Sequence, residues 1–173
     1  MAAIQLGWAL SGRSRGNMTR DTFLNNVYEG FKIIDSHFDS VWFTDHLQYD
    51  ASPVLEGWTA LTYFMGFYPH LTFGHTVLSQ SFRNPALLAK MGATLHYLSR
   101  GRFILGIGTG WKKDEYLAYG YDFPPPKARI EQLEEALQIV KALWREEQVT
   151  FHGKHYQVVN ATASQSPFPN LSS

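Results

Sequence analysis

The chain has 173 residues, with 15 basic and 15 acidic side chains, no cysteine and a hydrophobic content of 45%. This length and composition predict one globular domain with its own core, and the balanced charge argues against a nucleic-acid or anionic-membrane partner. The sequence excludes disulfides and thiolate catalysis, has no run of ~20 apolar residues for a membrane span and lacks a signal-peptide pattern, so we expect a cytoplasmic protein.

Short apolar runs alternate with amphipathic segments from the N-terminus onward. Residues 4–10 predict a first strand. Thr19 predicts the N-cap of a helix whose first turn holds Asp21, where the helix dipole favours an acidic side chain. Helical spacing places four apolar residues on one face, which we expect to be buried: Phe23, Val27, Phe31 and Ile34. Residues 40–44 then predict the second strand.

The second and third helices are predicted from the same amphipathic pattern. Residues 56–67 predict a helix with a buried stripe formed by Trp58, Leu61 and Phe64. The β-branched run at residues 71–78 predicts the third strand. Asn84 followed by Pro85 predicts an N-cap and a first helical residue. The buried repeat of this third helix is expected to comprise Leu87, Leu88, Met91, Leu95 and Leu98.

A glycine-rich corner follows the fourth predicted strand, residues 102–107. Its sequence is GIGTGW, and glycine lets the backbone turn with positive φ and lets a flat group approach the main chain. A dinucleotide-binding corner is the alternative, but its G-x-G-x-x-G pattern opens directly into a helix. Here Trp111 stands at the third glycine position, and residues 112–121 are predicted to be a loop with a solvated charged face. The dinucleotide alternative is therefore disfavoured.

The last part of the chain predicts a fourth helix and a hairpin. The helix covers residues 129–144, with Glu131, Glu134 and Glu135 expected on its exposed side. Its inward positions are expected to be Ile130, Leu133, Leu137, Val140 and Trp144. Residues 149–151 and 155–159 flank a turn at Gly153, which is typical of a hairpin. His152 and His155 lie on this hairpin without a third ligand in the sequence around them, so we predict no metal site.

The order of the elements predicts the fold class. Four strand-helix units with parallel-type strands are typical of an α/β protein of the (β/α)8 TIM-barrel type, and here they make up about half of a barrel, followed by the hairpin. We predict one domain over residues 1–163 and an unstructured tail at residues 164–173. Because a full barrel has about 250 residues, we expect either a missing C-terminal half or a homo-oligomer that covers the open sheet edges.

Several segments, in the same order, resemble the luciferase-like monooxygenase superfamily and most closely its coenzyme F420-dependent oxidoreductases. These segments are VWFTDHL at residues 41–47, FRNPALLAKM at 82–91, GIGTGW at 106–111, and YG at 119–120 with FPP at 123–125. The resemblance extends from Ile4 to about Ala163. It implies a TIM-barrel enzyme that binds either FMN or coenzyme F420, and these residues leave both cofactors open.

The resemblance also implies the residues of the site. Asp45 and His46 are expected to lie against the cofactor ring as the catalytic pair, with His46 donating or accepting a proton or hydrogen bond as hydride moves. The alternative is a histidine that only hydrogen-bonds the strand end, with Asp45 as its orienting partner. Thr76 and Val77 are expected to support the ring through a cis peptide bond, whereas an ordinary β pair is the alternative. Thr109 and Gly110 are expected to line the cofactor at the fourth strand.

One position departs from several deazaflavin enzymes, which place a carboxylate directly after this Thr-Gly pair. Trp111 stands there instead, and an indole cannot shuttle a proton, so the acid-base arrangement of a glucose-phosphate dehydrogenase is not expected. We expect an oxidoreductase or monooxygenase that acts on a small molecule by hydride transfer or oxygen activation at the bound ring. The alternative is a truncated, non-catalytic half-barrel that serves as a structural or interaction subunit.

Overall fold

The computed structural model of the chain describes residues 4–14, 18–50 and 52–163. The chain forms two compact units. Unit 1 comprises residues 1–78 and 102–106, and unit 2 comprises residues 79–101 and 107–173. The predicted tail at residues 164–173 lies outside the described residues.

Unit 1 contains a four-stranded parallel sheet with two helices between its strands. Its elements in chain order are β1 (Gly7–Leu10), α1 (Arg20–His37), β2 (Ser40–Phe43), α2 (Gly57–Met65), β3 (Thr72–His75), the first residue of β4 (Leu78–Ser79) and β5 (Phe103–Ile104). The sheet order is β1-β2-β3-β5. Leu10 is paired with Phe43, and Phe43 with His75, so these three strands end level with one another.

The buried face of α1 is the one that its sequence predicts. Thr19 caps the helix, because its Oγ1 accepts a hydrogen bond from the Thr22 amide at 3.2 Å. All four predicted core residues of α1, Phe23, Val27, Phe31 and Ile34, are buried. Phe31 stacks on Phe64 of α2 with ring centroids 4.4 Å apart and on Tyr68 at 4.7 Å. Aromatic stacking therefore joins α1 to α2.

Two predictions for unit 1 were wrong in detail. Trp58 is only half-buried, because the core face of α2 is completed by Ala60 and Met65 beside Leu61 and Phe64. The strand predicted at residues 71–78 is broken: β3 ends at His75, the bond between Thr76 and Val77 is cis, and β4 begins at Leu78. The expected cis peptide bond is confirmed.

The described part of unit 2, which ends at residue 163, contains three α-helices and a hairpin. Its elements are the last residue of β4, a 3-10 turn (Gln80–Phe82), α3 (Pro85–Leu98), β6 (Ile107–Gly108), α4 (Lys113–Ala118), α5 (Pro126–Leu143), β7 (Val149–His152) and β8 (Gln157–Ala161). Asn84 caps α3 as predicted, since its Oδ1 accepts hydrogen bonds from the Ala86 and Leu87 amides. Strands β7 and β8 form the predicted antiparallel hairpin.

The buried faces of α3 and α5 differ from the predicted ones. Leu87 and Leu98 of α3 and Ile130 of α5 are exposed. The buried set comprises Leu88, Ala89, Ala93 and Leu95 on α3 and Ala136, Ile139, Val140 and Leu143 on α5. The two helices pack against each other, and small side chains allow a closer approach of their backbones than large ones do. The buried faces of both helices therefore include alanine positions, whereas the sequence prediction rested on large apolar residues.

The segment after the glycine-rich corner is also more ordered than predicted. Residues 113–118 form α4, with Asp114 and Glu115 in its first turn, where acidic side chains favour a helix. Lys112 and Glu115 are buried, and Lys112 Nζ pairs with Asp114 Oδ2. The prediction of a solvated charged loop was therefore wrong for the backbone and for Lys112 and Glu115, whereas Lys113 and Asp114 are exposed as predicted.

Candidate functional site

The carboxyl ends of β2 and β3 bring the first four predicted site residues together in unit 1. The Thr76 amide donates a hydrogen bond to Phe43 O at 2.8 Å, and the Leu78 amide donates to Gly106 O at 2.9 Å. These backbone bonds fix the chain on both sides of the Thr76–Val77 bond. Function in parallel α/β sheets lies at this end of the strands.

Asp45 and His46 follow β2 directly, but they differ in exposure. Asp45 has 6% of its surface exposed, whereas His46 is partly open to solvent. A side chain at Gly57 would place its Cβ 3.3 Å from Asp45 Oδ1, so the carboxylate lies against the first turn of α2. His46 is therefore the member of the pair that a ligand reaches.

Thr76 and Val77 present their side chains to solvent at the end of β3. Val77 is 48% exposed, which leaves an apolar surface at the rim of the sheet. Behind them, His75 is buried in a cluster of rings. The Trp58 ring stacks on the His75 ring at 5.5 Å, and Phe103 meets His75 edge-on at 6.1 Å. This ring cluster gives the exposed pair a packed base.

Two loops of unit 1 are fastened to each other beside His46. The Ser14 amide donates to Pro53 O at 3.0 Å, the Leu55 amide donates to Gly12 O at 2.7 Å, and Arg13 forms a β-bridge with Val54. Sequence reasoning gave Arg13 no role, although its position in a basic loop directly after β1 was a usable signal.

The side chain of Arg13 continues from this bridge toward His46. Its Cζ lies 4.0 Å from the centre of the Tyr49 ring. Tyr49 in turn meets the His46 ring edge-on at 5.2 Å. Arg13, Tyr49 and His46, here called the Arg13 cluster, therefore form a continuous row of contacts in unit 1.

Thr109 and Gly110, the other two predicted site residues, belong to unit 2. Gly110 has φ +71°, and a Cβ there would overlap the Tyr116 hydroxyl. Tyr116 is fully buried, shares a hydrogen bond with the Ser79 hydroxyl and donates to Thr109 O at 3.3 Å. Because this position combines a positive φ with a close contact, it requires glycine.

Arg129 holds the same corner from α5. Its guanidinium donates to Gly110 O and, through Nε, to Pro124 O at 3.2 Å. The guanidinium carbon also lies 4.2 Å from the centre of the Phe123 ring, a distance at which a cation and an aromatic face attract each other. The Thr109–Gly110 corner is thus fixed by the buried Tyr116 on one side and by Arg129 on the other.

An acidic clamp holds the hairpin turn of unit 2 on α5. The Glu135 carboxylate accepts hydrogen bonds from the backbone amides of Lys154, His155 and Tyr156 at 2.8–3.0 Å. Glu131 Oε2 binds Lys154 Nζ at 2.7 Å and His155 Nε2 at 3.1 Å. The prediction of an exposed acidic face was therefore wrong for these two residues, whereas Glu134 is exposed.

The pKa values of both carboxylates of the acidic clamp, Glu131 and Glu135, are lower than the ordinary value for glutamate. Burial alone would raise the pKa of Glu135, but the three backbone donors outweigh it and lower the pKa. The pKa of Glu131 is lowered chiefly by the hydrogen bond from Lys154 and then by the one from His155. Both carboxylates are therefore charged at neutral pH, as the clamp requires.

Neither a metal site nor a membrane-spanning helix is found among the described residues. No group of three histidine, aspartate or glutamate side chains in residues 4–14, 18–50 and 52–163 has the geometry to hold a metal ion. Over the same ranges, no helix is both long and apolar enough to cross a membrane.

The sequence and this arrangement define the class of the protein. Residues 4–172 match the sequence profile of the luciferase-like monooxygenases, and the chain belongs to this family. Its four strand-helix units confirm the predicted α/β fold of the TIM-barrel type.

Curated relatives of the chain include enzymes that are named F420-dependent. The F420-dependent glucose-6-phosphate dehydrogenase of Kineococcus radiotolerans is 40% identical over 135 residues, which cover 75% of this chain and 39% of that protein. The enzyme of the same name from Intrasporangium calvum is 38% identical over 138 residues, which cover 75% of this chain and 41% of that protein. The chain thus spans about two fifths of the length of these relatives.

Solved structures extend the likeness in fold to flavin enzymes. An F420-dependent secondary alcohol dehydrogenase, solved with an F420-acetone adduct, has a TM-score of 0.79 and 23% sequence identity to this chain. The matched region covers 96% of this chain and 50% of the dehydrogenase chain. The oxygenating constituent of 3,6-diketocamphane monooxygenase from Pseudomonas putida, solved with FMN, has a TM-score of 0.71 and 20% sequence identity to this chain. The matched region covers 90% of this chain and 44% of the monooxygenase chain. At these identities the likeness concerns the fold alone.

Proposed function

We propose that this chain is the ring-binding part of an oxidoreductase that uses coenzyme F420 or FMN, and that F420 is the better candidate. The observation that supports this most directly is the placement of His46, Thr76 and Val77 at the carboxyl ends of adjacent parallel strands. The named F420-dependent relatives, at 38–40% identity, favour F420 over FMN.

The residues present suit a flat, three-ring cofactor. Val77 offers an apolar contact surface, Thr76 offers a hydroxyl on an exposed residue, and His46 offers an imidazole that solvent reaches. When bound, such a cofactor supplies hydride transfer or oxygen activation, and the protein supplies orientation. Thr76 and Val77 would support the ring from the β3 end, and the ring cluster of Trp58, His75 and Phe103 would keep that support in place.

His46 is proposed to hold or release the proton that accompanies hydride transfer. An imidazole suits this role because its ordinary pKa lies near neutral pH. Asp45 is buried against α2, and we assign it the role of a positioning residue that acts through His46. Thr109 and Gly110, in unit 2, remain proposed cofactor residues, and their corner is shaped by Tyr116 and Arg129.

The proposal does not extend to glucose 6-phosphate as the substrate. Trp111 is 66% exposed and occupies the place where a proton-transferring carboxylate would be needed for that chemistry. An exposed indole suits stacking on a ring or closing a pocket. A small molecule other than the relatives' named sugar phosphate is therefore the proposed substrate, and a cytoplasmic location and a homo-oligomer or completing half remain predictions.

A titration of the purified chain with F420 and with FMN, followed by ring fluorescence, tests the proposal. We expect saturable binding, with F420 bound more tightly than FMN, and at least about tenfold weaker binding after a Val77→Asp substitution places a charge on the proposed ring contact. Val159→Asp, which alters an exposed valine of β8, is the matched control and should leave the affinity unchanged.

The alternative is a structural subunit without cofactor chemistry. It predicts no saturable binding of either cofactor by a chain that is folded by circular dichroism and monodisperse on a sizing column. That outcome would contradict the proposed function. Equal losses in the two valine variants would contradict the proposed position of the ring.

A further inference from the structure

We propose that the Arg13 cluster of unit 1 is an oxyanion-binding element, and that the substrate of the proposed enzyme carries a carboxylate or phosphate group that Arg13 binds beside His46. The substrate assignment rests on the proposed function, whereas the oxyanion site rests on the geometry of Arg13, Tyr49 and His46 alone.

The position of Arg13 is fixed by its backbone. Gly12 O accepts from the Leu55 amide, the Ser14 amide donates to Pro53 O, and Arg13 itself bridges to Val54. Ser14 is 2% exposed, so this stretch is anchored and not a free loop. The direction in which the arginine side chain leaves the backbone is therefore set before any ligand arrives.

The guanidinium carbon of Arg13 lies over the Tyr49 ring, 4.0 Å from its centre. A cation attracted to an aromatic face does not use its N–H groups on a carbonyl or carboxylate acceptor there, so they stay available as donors. Among the residues that the structure describes, no carboxylate or carbonyl accepts a hydrogen bond from the Arg13 side chain. A half-buried arginine with its donors uncommitted is matched by a carboxylate or a phosphate, either of which can accept two N–H bonds.

The neighbourhood of His46 argues for the substrate as the source of this oxyanion. Tyr49 contacts both side chains, at 4.0 Å to Arg13 Cζ and 5.2 Å to the His46 ring centre. Because both distances are measured to the Tyr49 ring centre, the distance from Arg13 Cζ to the His46 ring centre is at most their sum. An anionic group bound by Arg13 would therefore fix the orientation of a substrate that also reaches His46.

The test compares two arginines with inorganic phosphate as the probe. Arg13→Met removes the proposed donor, and Arg20→Met removes the same charge from the first residue of α1, which is exposed. Phosphate binding is followed through the arginine Nε–H resonances at low ionic strength, since salt screens such contacts. We expect about tenfold weaker binding in Arg13→Met and less than a twofold change in Arg20→Met.

A conservative variant guards against misfolding. Arg13→Lys keeps the charge and the stem but loses the two-pronged donor, so we expect an affinity between those of wild type and Arg13→Met. Equal losses in Arg13→Met and Arg20→Met would overturn the site, because they would reflect net charge only. Undiminished phosphate binding by Arg13→Met would overturn it as well.

A second measurement identifies the source of the oxyanion and separates this inference from the proposed function. Riboflavin and FMN differ only by a phosphate, and we expect Arg13→Met to leave the affinity of both unchanged. A loss confined to FMN would overturn the substrate assignment in favour of the cofactor's phosphate. If F420, FMN and riboflavin all fail to bind while phosphate binding still depends on Arg13, the proposed function fails and the oxyanion site stands without a redox substrate.

Discussion

The two units fasten their functional segments in different ways. In unit 1, backbone hydrogen bonds hold the loops at the strand ends: Ser14 to Pro53, Leu55 to Gly12, and Thr76 to Phe43. In unit 2, side chains hold the corresponding segments, with Arg129 and Tyr116 on the Thr109–Gly110 corner and Glu135 on the hairpin turn. A loop held by its backbone leaves its side chains available for a ligand, whereas a segment held by side chains depends on each of them.

This difference predicts where substitutions affect stability and where they affect binding. Changes at Arg13, His46 or Val77 should alter ligand affinity in a chain that still folds. Changes at Arg129, Tyr116 or Glu135 should first lower the free energy of unfolding. The following substitutions test that division, beginning with the largest expected effect.

Gly110→Ala is expected to be the most destabilising of these changes. Its Cβ would overlap the Tyr116 hydroxyl at a backbone with φ +71°, and we expect a loss of about 3 kcal/mol in the free energy of unfolding. Gly120→Ala is the matched control, because Gly120 has φ +76° but nothing within 4 Å of a Cβ. It should cost about 1 kcal/mol. Equal costs in urea denaturation would show that the Tyr116 contact is unimportant.

Arg129→Met should lower the free energy of unfolding by about 2 kcal/mol. The variant leaves Gly110 O and Pro124 O without their donor and removes the cation from the Phe123 ring. Arg145→Met, at an exposed arginine just after α5, should change the value by less than about 0.5 kcal/mol. If both variants unfold at the same urea concentration as wild type, side chains do not hold this corner.

Glu135→Gln should cost about 1 kcal/mol at pH 7 and reduce the acid sensitivity of folding. The pKa of Glu135 is lower in the folded chain than its ordinary value of about 4.3. Its stabilising contribution is therefore complete above that value and is lost as the pH falls through the folded pKa. Thermal unfolding between pH 7 and pH 3 measures this loss.

The control for the acidic clamp is Glu134→Gln, which changes the exposed glutamate next to Glu135. The stability of this variant should fall with decreasing pH as that of the wild type does, whereas the stability of Glu135→Gln should fall less steeply. If the stability of Glu135→Gln falls as steeply as that of the wild type, other carboxylates, such as Glu131, account for the acid sensitivity.

Val77→Ser is expected to have the smallest effect on folding and a clear effect on binding. The side chain is 48% exposed, so we expect a change below about 0.5 kcal/mol in the free energy of unfolding. Ring affinity, measured by fluorescence titration, should fall several-fold because an apolar contact is lost. A large loss of stability with unchanged affinity would reverse the assignment of this residue from ligand contact to packing.

The site could be predicted only in part from the sequence. The resemblance identified the positions after β2 and β3, and the cis bond at Thr76 and Val77 is present as expected. Arg13 was missed because its contact with Tyr49 joins residues 36 positions apart, and no local pattern reports such a pair. Glu131 and Glu135 were misjudged because a charged helix face is usually solvated, and here the hairpin turn covers it.

The sequence by itself determined the elements that depend on neighbouring residues. The N-caps at Thr19 and Asn84 and the single apolar stripe of α1 follow from hydrogen-bonding chemistry and helical period. The tertiary structure decided which face of α3 and α5 is buried, how β3 is broken, and which side chains hold the Gly110 corner. The physical reason is that period and capping act within a few residues, whereas burial is settled by the partner surface that the rest of the chain supplies.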